Sequence, residues 1–304
     1  MSERPSSVFE EATETDVRTA FESEDYVAGD DIVTTVELAL RLGKPLLVEG
    51  EPGAGKTELA KVLAGGFDAE LIRLQCYEGL TAESALYEWN YTKQLLSMQA
   101  DESDANESVF TEEFLLERPL LSALRGDSSR VLLIDEVDRA DEEFEALLLE
   151  ILSDFQVSVP ELGTVRAETP PVVVITSNRT RGLSDALKRR CLYLHVEPPS
   201  FEKERAILER KVPELDGAVA AELCAMAERL REEPLLKPPG AAETIDWARA
   251  VAALRYDGDG SLGHEEIRNT LGCLLKEVED IERVDDDLLA TLHEAAETAR
   301  VEAD

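Results

Sequence analysis

Eight consecutive residues, Gly50-Glu51-Pro52-Gly53-Ala54-Gly55-Lys56-Thr57, fit the spacing G-x-x-x-x-G-K-[ST] between an apolar run and a helical stretch. Glycines at these positions let the backbone fold into a nest whose N–H groups face phosphate oxygens, and the following helix adds its N-terminal dipole. Lys56 then places a point charge on the β- and γ-phosphates, and the Thr57 hydroxyl can hold Mg²⁺. A second group follows in Val131 to Glu136, VLLIDE, where Asp135 emerges from a buried strand to hold Mg²⁺ through water. Glu136, next in line, is placed to orient and polarise the water that attacks the γ-phosphate. In VVVITSN, Asn178 either shares that water with Glu136 or forms a turn at the strand end. In Leu187-Lys188-Arg189-Arg190 the basic triplet is either a solvated helix end favoured by the dipole or an arginine presented to a neighbouring subunit's γ-phosphate.

The elements that must position these groups are legible in the hydrophobic pattern. Short apolar runs occur at PLLVE (45–49), LIRLQC (71–76), VLLID (131–135), VVVIT (172–176) and LYLHV (192–196). Continuous rather than alternating hydrophobicity suits strands covered on both faces, so the fold class is α/β, a parallel sheet sandwiched by helices. Asp31 to Leu42 has helical spacing, with Asp30 or Asp31 as N-cap and Gly43 as the stop. Phe144, Leu147, Leu148, Ile151, Leu152 and Phe155 share one helical face, which predicts core. Gln156–Val159 and Thr164–Ala167 alternate around Pro160-Glu161-Leu162-Gly163, predicting an inserted β-hairpin that either decorates the surface or grips a client. After Pro198 and Pro199 only amphipathic helical stretches follow, which places a domain boundary near 198–200. The resulting division is an acidic, loosely ordered arm at 1–25, a nucleotide-binding α/β domain at 26–198 and a helical domain at 199–304.

Composition narrows the function further. The 304 residues carry 66 acidic and 31 basic side chains, a net charge of −35, while 43 % are hydrophobic. The apolar content supports a folded chain, and the charge repels nucleic-acid backbones and anionic lipid heads. So much acid with so little Lys predicts a surface kept soluble in concentrated salt, with a cation- or basic-partner-binding surface as the other reading. Cys76, Cys191, Cys224 and Cys273 are far apart, with no metal-ligand spacing, and His195, His264 and His293 are isolated. Asp101 to Glu113 reads as a solvated acidic insertion and Asp257 to Ser261 as a turn, since its register fails the calcium-loop spacing. The first residues lack a basic and then apolar leader, and no apolar run reaches about 18 residues, so a cytoplasmic protein without an integral membrane segment is expected. No N-K-x-D base-reading motif appears, which points to ATP rather than GTP.

Taken together, GEPGAGKT, VLLIDEVDRADEEFEALLLEILSDFQVSVPELG, VVVITSNRTR and LSDALKRRCLYLHVEPPS resemble an AAA+ ATPase of the MoxR type, over about residues 26–212. Within it the resemblance is to the CoxD-like subgroup, associated with assembly of carbon-monoxide-dehydrogenase-like molybdenum hydroxylases. EGLTAESALYEWNYTKQLL and the hairpin before Asn178 resemble the two insertions that mark this branch. The resemblance implies a five-stranded parallel sheet with a small all-α lid, and a hexameric ring with ATP and Mg²⁺ at subunit borders. It assigns Gly50–Thr57 as Walker A, Asp135 and Glu136 as Walker B, Asn178 as sensor 1, and Arg190 as the trans-acting finger with Arg189 as its competitor. It also implies adenine contacts near Tyr26 and Val27, a von Willebrand A-type partner and a protein client such as a metalloenzyme. One departure stands out: where many relatives carry a sensor 2 arginine, this chain reads Pro238-Pro239-Gly240-Ala241-Ala242-Glu243, and Arg249 lies further along. Two other functions fit the same core: a nucleic-acid motor or loader, against which the charge weighs, and an ATP-gated adaptor with little turnover.

Overall fold

The computed structural model describes residues 8–100, 112–159, 163–254 and 261–303. The expectations for the acidic run at 101–111, the hairpin tip at 160–162 and the turn at 257–260 fall outside these residues. The chain divides into two units. One comprises the residues up to Glu24, Ala28–Gly50 and Lys56–His195; the other comprises Asp25–Val27, Glu51–Gly55 and the residues from Val196 on.

The first half of the α/β unit runs α1 (Glu14–Ser23), α2 (Asp30–Leu42), β1 (Leu46–Gly50), α3 (Lys56–Gly66), β2 (Glu70–Gln75), α4 (Ala82–Leu86), β3 (Tyr87–Trp89) and α5 (Tyr91–Ala100). The second half runs β4 (Leu115–Glu117), α6 (Pro119–Arg125), β5 (Arg130–Asp135), α7 (Glu142–Asp154), β6 (Gln156–Val159), β7 (Gly163–Arg166), β8 (Val172–Ser177), α8 (Asp185–Arg190) and β9 (Leu192–Val196). The five apolar runs form one five-stranded parallel sheet in the order β2-β5-β8-β1-β9. Every residue of β1 and β5 is buried, as expected of strands covered on both faces. Parallel pairing brings the carboxyl ends of β2, β5, β8 and β1 to one edge: Gln75 lies opposite Asp135, and Glu49 opposite Ser177. The core beneath this edge joins Leu132, Ile134, Val173 and Ile175 of the sheet to Phe144, Leu148 and Ile151 of α7. Two antiparallel pairs, β3–β4 and β6–β7, stand outside the central sheet.

Two local features differ from what the sequence suggests. The acidic composition of residues 1–25 predicts a loosely ordered arm, yet Thr13 caps α1 through a capping box with Asp16, and Val17, Ala20 and Phe21 are buried. The three apolar residues share one helix face, and the acids that flank them, Glu14, Asp16 and Glu22, are exposed to solvent, which masks the helix in a composition-based reading. At α2 the N-cap is Gly29 rather than either aspartate; Asp30 and Asp31 fill the first turn, where they complement the dipole. Gly43 closes that helix at φ 58°.

The helical unit contains α9 (Phe201–Lys211), α10 (Gly217–Arg231), α11 (Ala241–Leu254), α12 (His264–Leu274), α13 (Val278–Arg283) and α14 (Asp286–Ala303). Its core holds Leu223, Met226, Trp247, Val251, Leu271 and Leu292, and the Trp247 indole donates to Thr270 Oγ1 at 2.7 Å. Buried Glu204 receives both arms of Arg231 at 2.6 and 2.7 Å, a forked pair joining α9 to the end of α10. Among the described residues, no helix is long and apolar enough to cross a membrane.

Candidate nucleotide site

At the sheet edge the chain leaves β1 at Gly50 and enters α3 at Lys56, through a loop in which Gly53 and Gly55 adopt φ 81° and 87°. A side chain at either position would be strained, and a Cβ on Gly53 would lie 3.3 Å from Gly240 Cα. Lys56 is buried at 6 % exposure and donates to Gly50 O at 2.9 Å, so its ammonium is folded back onto the end of β1. Burial pushes this ammonium below its ordinary range, opposed by the negative charges of Asp138, Asp135 and Glu136; Arg179 adds to the depression.

Asp135 ends β5 with its carboxylate fully engaged. Thr57 Oγ1 donates to Oδ1 at 3.0 Å and Thr176 Oγ1 at 2.5 Å, while Arg73 donates to Oδ2 from Nη2 at 2.6 Å and from Nε at 3.1 Å. Glu136 adopts a left-handed backbone, φ 55°, and its N–H is fixed by Thr176 Oγ1 at 2.9 Å. Such a conformation costs about 1–3 kcal/mol outside glycine and persists only where its surroundings impose it. Its consequence is to turn the Glu136 side chain toward the Asn178 amide (3.4 Å), the Gln75 amide (3.1 Å) and Arg139 (2.7 Å). Behind them, Asp138 accepts the backbone N–H groups of Asn178 and Thr180 and the Thr180 hydroxyl at 3.1, 2.9 and 2.6 Å. Burial alone would raise the Asp138 carboxyl; the bonds from Thr180 and Asn178 outweigh it and hold the group below its usual range.

The structure thus brings Lys56, Thr57, Asp135, Glu136 and Asn178 together. Arg189 and Arg190 are not among their bonding partners. Both end α8 exposed, with Arg190 Nε donating to Ser153 Oγ at 3.0 Å. Arg249 is likewise exposed, 3.6 Å from Asp246. Sequence reasoning missed Arg73, Gln75, Thr176, Asp138 and Arg179; the signal available was the alternation of ELIRLQ, which leaves Arg73 and Gln75 off the buried face of β2.

The donor set fits a magnesium-bound triphosphate. Thr57 and Asp135 supply hard oxygens side by side, two protein donors at the tip of the sheet. That suits magnesium, which takes one or two protein oxygens and completes its shell from phosphate and water.

Fold and site together have the form of a P-loop ATPase. Residues 45–191 match the family described as AAA domain (dynein-related subfamily). An uncharacterized protein of Staphylococcus haemolyticus is 26 % identical over 214 residues, 68 % of this chain and 76 % of its own. One of Staphylococcus saprophyticus is 27 % identical over 180 residues, 57 % of this chain and 63 % of its own. The chain therefore spans about two thirds to three quarters of these relatives. Among solved structures, a point mutant of Thermotoga maritima RuvB is 19 % identical with a TM-score of 0.47, covering 88 % of this chain and 72 % of that one. The Thermotoga maritima RuvB Holliday junction branch migration motor is 18 % identical with a TM-score of 0.42, covering 92 % and 71 %.

Proposed function

We propose that this ATPase is magnesium-dependent and uses turnover to remodel or mature a protein client, as a MoxR-type chaperone of the CoxD-like branch. The observation that carries the chemistry is the Thr57–Asp135 bond, which joins the glycine-rich loop's helix to the acidic strand tip across the sheet. Bound magnesium would neutralise charge on the β- and γ-phosphate oxygens, held by Thr57 and Asp135. Gly50, Glu51, Pro52, Gly53, Ala54 and Gly55 cradle the phosphates, and Lys56 places a positive charge on them. Glu136 orients the attacking water and takes its proton, while the Asn178 amide fixes the Glu136 carboxylate from the neighbouring strand. Residues 199–304 act as the lid.

Client handling is the reading given to the β6–β7 hairpin before Asn178 and to the segment at 78–96, which holds α4 and β3; both lie outside the central sheet. A hexameric ring, Arg190 as its trans-acting finger, a von Willebrand A-type partner and a metalloenzyme client complete the reading, and a cytoplasmic location suits it. Glu136→Gln tests the chemistry. This variant should bind ATP as the parent does and turn it over at least about 100-fold more slowly; parental turnover would refute the mechanism. Retained in a native lysate with ATP, the same variant should hold the client for identification by mass.

A further inference from the structure

We propose that Arg73 competes with the metal for Asp135, and so sets how strongly magnesium and nucleotide binding reinforce each other. The inference rests on Asp135 being the metal-side carboxylate. Arg73 stands on β2, opposite Leu133 of β5, and reaches past it to grip Asp135 Oδ2 with two N–H groups at 2.6 and 3.1 Å. Oδ1 is already occupied by the hydroxyls of Thr57 and Thr176. An ionised carboxylate offers about four lone-pair sites, and here each carries a donor. A cation, or a water held by a cation, therefore gains Oδ2 only as Arg73 releases it.

The exposures of the two partners make that exchange feasible. The Asp135 side chain is 4 % exposed and needs a positive or donor partner at all times, whereas the Arg73 side chain is 51 % exposed and can turn its guanidinium into water at small cost. The released group remains beside Gln75, whose Oε1 already accepts from Arg73 Nη2 at 2.7 Å. Arg73 is thus a positioning residue: its forked contact compensates the buried carboxylate, at the expense of metal affinity.

The test is a linkage measurement on the full chain, with Glu136→Gln as parent so that nucleotide is not consumed. Fluorescent mant-ATP is titrated in saturating Mg²⁺ and in EDTA, and the ratio of the two Kd values is the coupling. Arg73→Ala should enlarge that ratio about fivefold, the scale of a half-exposed ion pair, and Arg73→Lys, which keeps charge but loses the fork, should fall between. In EDTA, Arg73→Ala should also melt below its parent, with the gap closing when Mg²⁺ and ATP are added. An unchanged or smaller ratio for Arg73→Ala overturns the proposal; should that variant fail to fold, Arg73→Gln is read by the same criterion. Asp135→Asn separates the two levels: its ratio should fall toward one, and a parental ratio there would remove the metal assignment itself.

Discussion

Asp138 accepts the backbone N–H of Asn178 at 3.1 Å, tying the exit of β8 to the turn that follows β5. With the two bonds from Thr180, this carboxylate fixes where the Asn178 amide points, so the approach of Asn178 to Glu136 is set from behind rather than by either side chain.

Replacing Asp138 by Ala leaves those donors unpaired and should destabilise the protein by about 2–3 kcal/mol, with turnover falling more than ATP affinity. Its pH signature has a definite sign. The folded-state pKa is depressed, so the contribution is present above the ordinary carboxylate pKa and is lost as pH falls through the lower, folded value. Melting curves from pH 7 down toward pH 3 should fall less steeply for Asp138→Asn than for the parent; parallel curves would contradict the role.

Lys56 gives the opposite relation between stability and function. Burial makes its charge costly, and its depressed pKa means that the unfolded chain binds the proton more tightly, so stability attributable to this group rises with pH as it approaches the lysine range. Lys56→Met should therefore melt no lower than the parent at neutral pH while losing at least about 100-fold in ATP affinity. Calorimetry and mant-ATP titration on the same sample check both halves; a large loss of stability with ATP affinity intact would sink the assignment.

Much of this site is readable in advance, because a buried strand that ends in a functional group leaves a linear trace. VLLIDE and VVVITSN each show an apolar run broken by a polar group at the sheet edge. The loop between β1 and α3 shows glycines where positive φ is needed. Arg73 and Gln75 leave no such trace: they matter through the pairing of β2 with β5, a contact between residues about 60 positions apart. Thr176 reads as a strand residue until its hydroxyl is seen between Asp135 Oδ1 and the Glu136 N–H. Asp138 lies in a short turn, Val137–Arg139, whose geometry comes from the β8 exit rather than from local propensity. The helix at Glu14–Ser23 is hidden for a different reason, since its three buried residues are set among acids that dominate the composition of the segment.

Arg190 makes its hydrogen bonds to Ser153 and Ala186, neither of which belongs to the acidic pair. If a neighbouring subunit receives it, Arg190→Ala should bind ATP normally and lose about 10³-fold in turnover. Mixing Arg190→Ala with Glu136→Gln should then restore part of the activity, because one variant supplies the arginine and the other an intact acid. No recovery on mixing, with Arg189→Ala recovering instead, would transfer the role to Arg189.

The remaining prediction concerns the surface. With 66 acids against 31 basic residues, like-charge repulsion opposes the compact state, and many exposed ion pairs contribute little against it. Salt screens that repulsion over a Debye length that shrinks from about 10 Å at 0.1 M to about 3 Å at 1 M. Raising KCl across that range should increase Tm; a gain of about 2 kcal/mol corresponds to roughly 4–8 °C for a domain of this size. The weak exposed pairs, such as Arg18 with Glu14 and Asp30, lose strength over the same titration, so the net rise measures repulsion relieved minus attraction lost. A Tm that falls steadily with KCl would mean that attraction dominates, and would turn the acidic surface from a salt adaptation into a binding face for a basic partner.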